Sequence, residues 1–253
     1  PDRIPGRLTL IARMGADVMR WQFCAQPPDR NLLFGFGPAH EIQRKLLTLW
    51  NSVTFLVQYG NVESFAPRYA DLEGVDGELA PLDRWLVERV RRLVEEATGA
   101  YERWLTVDVI RAFESFLDDL SNWYIRCSRR RFWEGDEAAL RVLWHATVQS
   151  LRVIAPVLPF LAEHLWQVLV RDVCEDAPAS VHLAGCPGER DPDDELRAEV
   201  ADVRRVVALG HQARQAAGFK VQQPLRALVV EGAARAEAQA AEIRDELRVK
   251  DVR

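Results

Sequence analysis

Hydrophobic side chains recur every three or four positions along most of this chain, which is the spacing of one face of an α-helix. The longest such run starts at Leu82, steps to Leu86 and Val90, and keeps the same spacing as far as Trp104. Helices with one apolar face are predicted in five stretches, at about 38–59, 82–104, 106–127, 136–154 and 160–170. Amphipathic helices joined by short turns predict an antiparallel helix bundle.

The ends and the interior of these helices can also be predicted. Asp83 and Asp136 each stand at the start of an apolar run, so we expect them to cap helix N-termini. Pro156 and Pro159 are expected to end the fourth helix and to open the fifth. Aromatic residues on the apolar stripes are expected in the core. These are Trp85, Trp123 and Tyr124.

Two stretches rich in proline, glycine and acidic residues interrupt the helical pattern. The stretch at 60–82 is interpreted as a solvated connection, and the stretch at 175–195 as a linker between domains. Beyond the linker we predict four elements, namely a helix over 196–217 ended by Gly218, a strand over 225–230, an alanine-rich helix over 233–247 and a short strand over 248–252. The predicted fold is mainly α, an antiparallel helix bundle with a small C-terminal α/β appendage.

The composition indicates a folded protein without a general affinity for polyanions. The 253 residues include 33 Lys+Arg and 38 Asp+Glu, a formal net charge of −5, and 48% are hydrophobic. This balance excludes a disordered or fibrous chain. A nucleic-acid partner would have to meet a local basic patch. No apolar run is long enough to span a bilayer, so no membrane partner is expected.

Sequence patterns of catalysis and metal binding are missing. The chain has no glycine-rich phosphate loop, no nucleophile elbow and no His-Glu-x-x-His pair, so we predict no catalytic residue. His164 is expected on a helix surface. The cysteines fit neither a disulfide framework nor paired zinc ligands, and Cys174, His182 and Cys186 lack a fourth ligand. We therefore expect reduced thiols, no metal site and a cytoplasmic location.

The most informative local feature is a run of arginines and aromatic residues at 122–133, which contains no acidic residue. On a continuous helix, Arg126, Arg130 and Trp133 would share one face. Guanidinium groups can hold phosphates through paired hydrogen bonds, and aromatic rings can stack on unpaired bases, so the run suits a structured RNA. An equally open interpretation is that the arginines only complement a helix dipole and pair with acids on neighbouring helices.

Several longer runs resemble the C-terminal half of the isoleucyl-tRNA synthetase family, in order and in approximate spacing. They are GADVMRW at 15–21, LLTLWNSVTFLVQY at 46–59, LDRWLVERV at 82–90, DDLSNWYIRCSRRRFW at 118–133, APVLPFLAEHLW at 155–166, SVHLAGCP at 180–187 and KVQQPL at 220–225. The resemblance covers almost the whole chain. Its most specific part is Ser-Asn-Trp-Tyr-x-Arg followed by Arg-Arg-Arg-Phe-Trp.

This resemblance implies a division of labour. In that family a Rossmann domain makes the aminoacyl adenylate with ATP and Mg²⁺, an inserted domain edits, and a C-terminal helix bundle grips the anticodon arm of the tRNA. The ATP-site signatures His-x-Gly-His and Lys-Met-Ser-Lys-Ser are missing here. We therefore expect a piece of an isoleucine–tRNA ligase that begins just after the active-site loop and holds no cofactor itself. The implied division is a stem-contact segment at 1–35, an anticodon-binding bundle at 36–174, a linker at 175–195 and the appendage at 196–253.

The resemblance also implies which residues meet the anticodon stem–loop of isoleucine tRNA. They are Arg126, Arg129, Arg130, Arg131, Trp133, Lys220 and Gln223. The family usually has arginine where this chain has Gln222, which weakens the case for a phosphate contact at that position. Asp17 and Arg20 are expected to form a structural pair, with a direct tRNA contact by Arg20 as the alternative.

The expected protein partners are the catalytic and editing domains of the same parent enzyme. Two other functions stay open at this point. One is the same role in a valine–tRNA ligase, and the other is a non-catalytic helical protein-interaction module, which the acidic net charge mildly favours.

Overall fold

The chain divides into two compact units. The computed structural model describes residues 14–27, 29–75, 78–188, 193–220, 223–233 and 240–253. The first unit is made of Pro1–Glu78 and Arg89–Arg190, and the second of Leu79–Glu88 and Asp191–Arg253. The division falls inside the linker predicted at 175–195, although the start of the helix predicted at 82–104 belongs to the second unit.

The first unit is a helix bundle. Its helices are α1 (Ala16–Cys24), α2 (Phe36–Val62), most of α3 (Pro81–Glu102), α4 (Thr106–Asp118), α5 (Arg129–Trp133), α6 (Glu137–Ile154) and α7 (Pro159–Trp166). Helix α4 continues into a π-helical turn, Asp119–Ile125, and α7 into another, Gln167–Arg171. The prediction of a mainly α bundle is confirmed.

Helix α6 is the centre of this bundle. Its side chains at 139–154 are buried except that of Arg141, and α2, α4, α5 and α7 pack around it. A helix buried on all sides needs neighbours on all sides to be stable. Asp136 caps α6 as predicted, because its carboxylate accepts the N–H of Ala139 at 3.1 Å and satisfies a donor of the first turn.

Polar side chains of α6 hold the segment that precedes α3. His145 donates from Nδ1 to the carbonyl of Asp71 at 2.9 Å, and Gln149 donates to the carbonyl of Leu72. These bonds fix a 3₁₀ turn, Tyr69–Leu72, against the bundle, where Asp71 and Leu72 are buried. The prediction of a solvated connection over 60–82 is wrong for this turn, because buried polar groups of the helix need partners and the turn supplies carbonyls.

The first part of the predicted linker also packs on the first unit. Arg152 donates to the carbonyls of Ala184 at 2.9 Å and Gly185 at 3.0 Å. Glu163 accepts from the hydroxyl of Ser180 at 2.7 Å and from the N–H of Val181 at 3.0 Å. The loop is therefore held by a buried guanidinium at one place and by a carboxylate at another.

Asp17 and Arg20 of α1 contact the turn between α6 and α7 and not each other. The carboxylate of Asp17 accepts the N–H of Leu161 at 2.6 Å, and the guanidinium of Arg20 donates to the carbonyl of Pro156 at 2.7 Å. The predicted Asp17–Arg20 pair is wrong. Unsatisfied N–H groups at the start of α7 and unsatisfied carbonyls at the end of α6 are stronger partners for these side chains.

Other predicted helix ends are close to those observed. Helix α6 ends at Ile154 and α7 begins at Pro159, so the two prolines act as expected. Asp83 is not an N-cap, because α3 begins at Pro81 and Asp83 lies inside its first turn. Proline suits the first helical position, where its fixed φ fits and its missing N–H costs nothing. The aromatic residues predicted in the core are buried, which confirms the prediction for Trp85, Trp123 and Tyr124.

The second unit contains α8 (Asp194–Ala216) and α9 (Ala240–Leu247) together with the start of α3. Gly218 ends α8 as predicted. It has a φ of 72°, and the N–H groups of Gly218 and Phe219 bond back to the carbonyls of Gln215 at 3.1 Å and Arg214 at 2.9 Å.

The predicted strands of the second unit are reduced to two isolated parallel bridges. Leu225 pairs with Val249 and Leu228 with Val252, and no strand forms within the described residues. The predicted α/β appendage is therefore not confirmed, since single bridges do not make a sheet with a packed face. Of the helix predicted over 233–247, residues 240–247 are helical, and 234–239 lie outside the described residues.

Candidate nucleic-acid interface

The arginine-rich run lies on two helical pieces and not on one. The π-helical turn leads helically to Cys127, Ser128 leaves the helical conformation with φ −87° and ψ 2°, and α5 begins at Arg129. The predicted common face of Arg126, Arg130 and Trp133 on a continuous helix is therefore wrong. A π turn bonds residues five apart, so the 3.6-residue spacing of α4 does not extend across it.

Helix α5 is anchored by one aromatic ring and presents another. Phe132 is fully buried, with its ring centroid 5.2 Å from that of Phe55 and 6.3 Å from that of Tyr124. Trp133 is 64% exposed, and its Nε1 donates to the hydroxyl of Tyr59 at 2.5 Å. The indole is thus fixed at its polar edge while most of its surface meets solvent, which is what stacking on an unpaired base requires.

The arginines of α5 differ in what they contact. Arg131 is partly buried and donates to Asp136 at 2.8 Å. Arg130 is exposed and forms an ion pair with Glu134 at 3.2 Å. Arg129 is exposed and makes no hydrogen bond or ion pair with any residue that the structure describes. Of the three, Arg131 is placed to hold the local fold and Arg129 to meet a ligand.

Arg126 lies before the break and contacts its own helical turn. Its Nε donates to the carbonyl of Asn122 at 2.8 Å, and its guanidinium carbon lies 5.8 Å from the ring centroid of Trp123. The side chain is exposed, so its charge faces solvent while a backbone bond and an aromatic edge restrict its orientation.

The turn between α5 and α6 brings acids to the arginine-rich run. Gly135 has a φ of 74°, and a Cβ there would lie 2.6 Å from Oε2 of Glu63 at the end of α2, so this position favours glycine on both counts. Burial would raise the pKa of Asp136, but hydrogen bonds from Ala139 N–H and from Arg131 outweigh it and keep this pKa below its usual range. The site thus carries less net positive charge than the sequence run suggests.

Lys220 and Gln223 lie in the second unit, whereas the residues of the arginine-rich run belong to the first. Their side chains are exposed, and their carbonyls are held by the buried guanidinium of Arg214, which donates to Lys220 at 2.7 Å, to Gln223, and to the carbonyl of Leu247 at 2.9 Å. Gln222 lies outside the described residues. Arg214 therefore shapes the loop that carries these two predicted contacts.

Sequence reasoning missed Tyr59 and Arg214, the residues that position Trp133 and the Lys220 loop. Tyr59 is 74 positions away from Trp133 along the chain. Arg214 lies within a helix rich in charged residues, where its burial has no local signal. Neither role could be found from spacing, because both depend on contacts between separate elements.

Residues outside the interface carry no catalytic arrangement that we can identify. His164 is exposed as predicted, and its ring stacks on Trp50 with centroids 5.9 Å apart. Burial, with the carboxylates of Asp176 and Asp71 nearby, raises the pKa of the Cys174 thiol to about 11. Within the described residues, no group of three or more His, Cys, Asp and Glu could hold a metal ion. No helix in this part of the chain is long and apolar enough to cross a membrane.

Residues 83–229, more than half of the chain, match the family model described as the anticodon-binding domain of tRNA ligase. The chain belongs to this family. The matched stretch contains the arginine-rich run as well as Lys220 and Gln223.

Similar proteins include several isoleucine–tRNA ligases. The one from Streptomyces avermitilis is 43% identical over 228 residues, which is 88% of this chain and 22% of that protein. The one from Thermus thermophilus is 39% identical over 262 residues, 96% of this chain and 24% of that protein. The one from Methanopyrus kandleri is 36% identical over 233 residues, 88% of this chain and 21% of that protein. The chain thus spans 21% to 24% of the length of these relatives.

Proposed function

We propose that this chain is the tRNA-holding part of an isoleucine–tRNA ligase and binds the anticodon arm of isoleucine tRNA. One observation carries the proposal: an anticodon-binding family model covers the arginine-rich run, and isoleucine–tRNA ligases match 88% to 96% of the chain. The exposed guanidinium of Arg129 beside the exposed indole of Trp133 supports it from the structure.

In this proposal the residues of the interface have different roles. Arg129 and Arg130 contact phosphates of the anticodon stem, and Arg130 exchanges its exposed pairing with Glu134 for a phosphate oxygen. Trp133 stacks on an unpaired base of the loop. Arg126 adds a phosphate contact at the helix end, and Lys220 and Gln223 contact the tRNA from the second unit. Arg131 acts indirectly, because its bond to Asp136 keeps α5 and the start of α6 together.

The chemistry of the ligase belongs to other parts of the enzyme in this proposal. ATP and Mg²⁺ would bind to the catalytic part, which together with the editing part would be the protein partner of this chain. A cytoplasmic location follows from a role in charging tRNA. The contribution of this chain is to position the tRNA so that its acceptor end reaches those parts.

The test is a filter-binding titration of isoleucine tRNA with the chain and with single alanine variants. Arg129→Ala should weaken binding and reduce the slope of log affinity against log salt by roughly 0.7 to 0.9, the value for one lost phosphate contact. Arg111→Ala is the matched control, because Arg111 is an exposed arginine of α4 that pairs with Asp108 outside the run.

Three results would contradict the assignment. If Arg129→Ala and Arg111→Ala bind with equal affinity and equal salt slope, the arginine-rich run is not the interface. If valine tRNA competes better than isoleucine tRNA, the chain belongs to a ligase for the other amino acid. If no tRNA binds above the level of an unrelated RNA, the interaction-module alternative replaces the proposal.

A further inference from the structure

Residues 31–35, between α1 and α2, are held in an extended conformation by two glutamine side chains. Gln26 donates to the carbonyl of Leu33 at 3.0 Å and accepts the N–H of Leu33 at 2.7 Å. Gln22, one helical turn earlier, makes the same two bonds with Gly35, both at 3.3 Å. Gly35 itself is fully extended, with φ 174° and ψ 176°. Two side-chain amides therefore take the place of a neighbouring strand.

This pattern is that of a β-strand with one edge paired and one edge open. In an extended chain, the N–H and C=O groups of alternate residues point to opposite edges. Leu33 and Gly35 face the glutamines, so Leu32 and Phe34 face the other way. The backbone groups of Leu32 and Phe34 make no hydrogen bond within the described residues. An open edge of this kind is a template for another strand.

The side chains of this segment are apolar on both faces. Leu33 is 75% exposed on one face, while Leu32 and Phe34 are each 39% exposed on the other. The ring of Phe34 stacks on that of Phe23, which is itself half-exposed, at a centroid distance of 5.4 Å. A strand that is apolar on both faces is usual inside a sheet covered on both sides. The occupant is thus polypeptide and not nucleic acid.

We propose that residues 31–35 are an edge strand that pairs with a β-strand of the catalytic part of the ligase. This inference rests on the proposed function, and it identifies where the two parts join. The N–H and C=O groups of Leu32 and Phe34 bond to the added strand, and Leu33 is covered by the same partner. The relatives offer the material for such a strand, since this chain matches only 22% of the first of them.

The test compares amide hydrogen exchange in two proteins. One is this chain alone, and the other is the Thermus thermophilus isoleucine–tRNA ligase in which the matching region has been replaced by this chain. The amides of Leu32 and Phe34 should exchange rapidly in the chain alone and about tenfold or more slowly in the chimera, whereas those of Leu33 and Gly35 should be protected in both. In the chain alone, Gln26→Ala should speed exchange at Leu33 and leave Leu32 unchanged.

A pair of variants provides a second measurement in the chimera. Leu33 and Val62 are both 75% exposed and lie in the first unit. Leu33→Lys should lower the melting temperature of the chimera, because it places a charge against the added strand. Val62→Lys should not, and neither change should alter the melting temperature of the chain alone. Equal effects of the two changes in the chimera would overturn the proposal.

Failure of this inference can be told apart from failure of the proposed function. If the chimera binds isoleucine tRNA but Leu32 and Phe34 exchange as fast as in the chain alone, the added strand is refuted and tRNA binding stands. Protection of these amides in the chain alone also refutes it, because the edge would then be occupied already. If neither protein binds isoleucine tRNA, the proposed function fails and this inference fails with it.

Discussion

Two ion pairs of equal length on α3 test how far burial decides stability. Arg89 and Asp119 are 2.6 Å apart with side chains 10% and 6% exposed, and Arg92 and Glu96 are 2.6 Å apart with side chains 50% and 36% exposed. Distance alone would give both pairs the same energy. The surroundings differ, and unit charges 4 Å apart attract by about 1 kcal/mol in water but about 4 kcal/mol at an effective dielectric constant of 20.

We expect Arg89→Ala to lower the free energy of unfolding by about 3–5 kcal/mol, because Asp119 stays buried without this guanidinium. The same change at Arg92 should cost about 0.5 kcal/mol or less, since solvent screens the pair and replaces its hydrogen bond. The double variant Arg89→Met with Asp119→Leu should cost less than Arg89→Ala, because no buried charge then loses its partner.

Urea unfolding at pH 7, followed by tryptophan fluorescence, measures these changes. Every tryptophan except Trp85 lies in the first unit, so the signal reports mainly on the unit that contains both pairs. Urea is uncharged and leaves the ion pairs unscreened. Equal losses for Arg89→Ala and Arg92→Ala would refute the reasoning that burial, and not distance, sets the value of the pair.

Two further predictions concern the turns beside the bundle. Asp136→Ala should lower the free energy of unfolding by about 1 kcal/mol at pH 7 through loss of the cap. Because folding lowers the pKa of Asp136, its contribution is present above the unfolded-state pKa and is lost as the pH falls below about 4, so Asp136→Asn should flatten that part of a plot of urea midpoint against pH; an unchanged slope would contradict this. Trp104 is 88% exposed and has a φ of 59° at the end of α3, where the N–H of Leu105 bonds to the carbonyl of Ala100. Trp104→Gly should stabilise the chain by about 0.5–1 kcal/mol in thermal melts, and Trp104→Ala should not, because only glycine escapes the clash of a Cβ with the backbone; equal melting temperatures for the two variants would count against this explanation.

The helices could be predicted from the sequence because their stabilising pattern is local. The apolar stripe of α6, the capping carboxylate of Asp136 and the two prolines before α7 act within a few residues of where they stand. The same local rules failed where two elements meet. Asp17 and Arg20 are one turn apart on α1, yet each is used by the turn between α6 and α7. The strands predicted at 225–230 and 248–252 had the right composition, but only two bridges join them.

The arginine-rich run shows the same limit at the candidate interface. Its residue types and its resemblance to tRNA ligases were visible in the sequence, and the anticodon-binding family agrees with them. The roles of the individual arginines were not visible, because they depend on where the acids lie. Asp136 follows the run and takes Arg131, while Glu63 approaches from the end of α2. A charge count along the chain gives equal weight to residues that the fold treats differently.

The sequence by itself determined the helices, the family resemblance and the kind of ligand that an arginine-rich run can hold, because these follow from spacing and side-chain chemistry. Only the tertiary structure decided that Arg129 is exposed while Arg131 is committed to Asp136, that Tyr59 fixes Trp133, and that two glutamines leave a strand edge open before α2. The physical reason is common to all of these features. Hydrogen bonds and burial join residues that are distant in the chain, and no local pattern records which distant partner will be nearest.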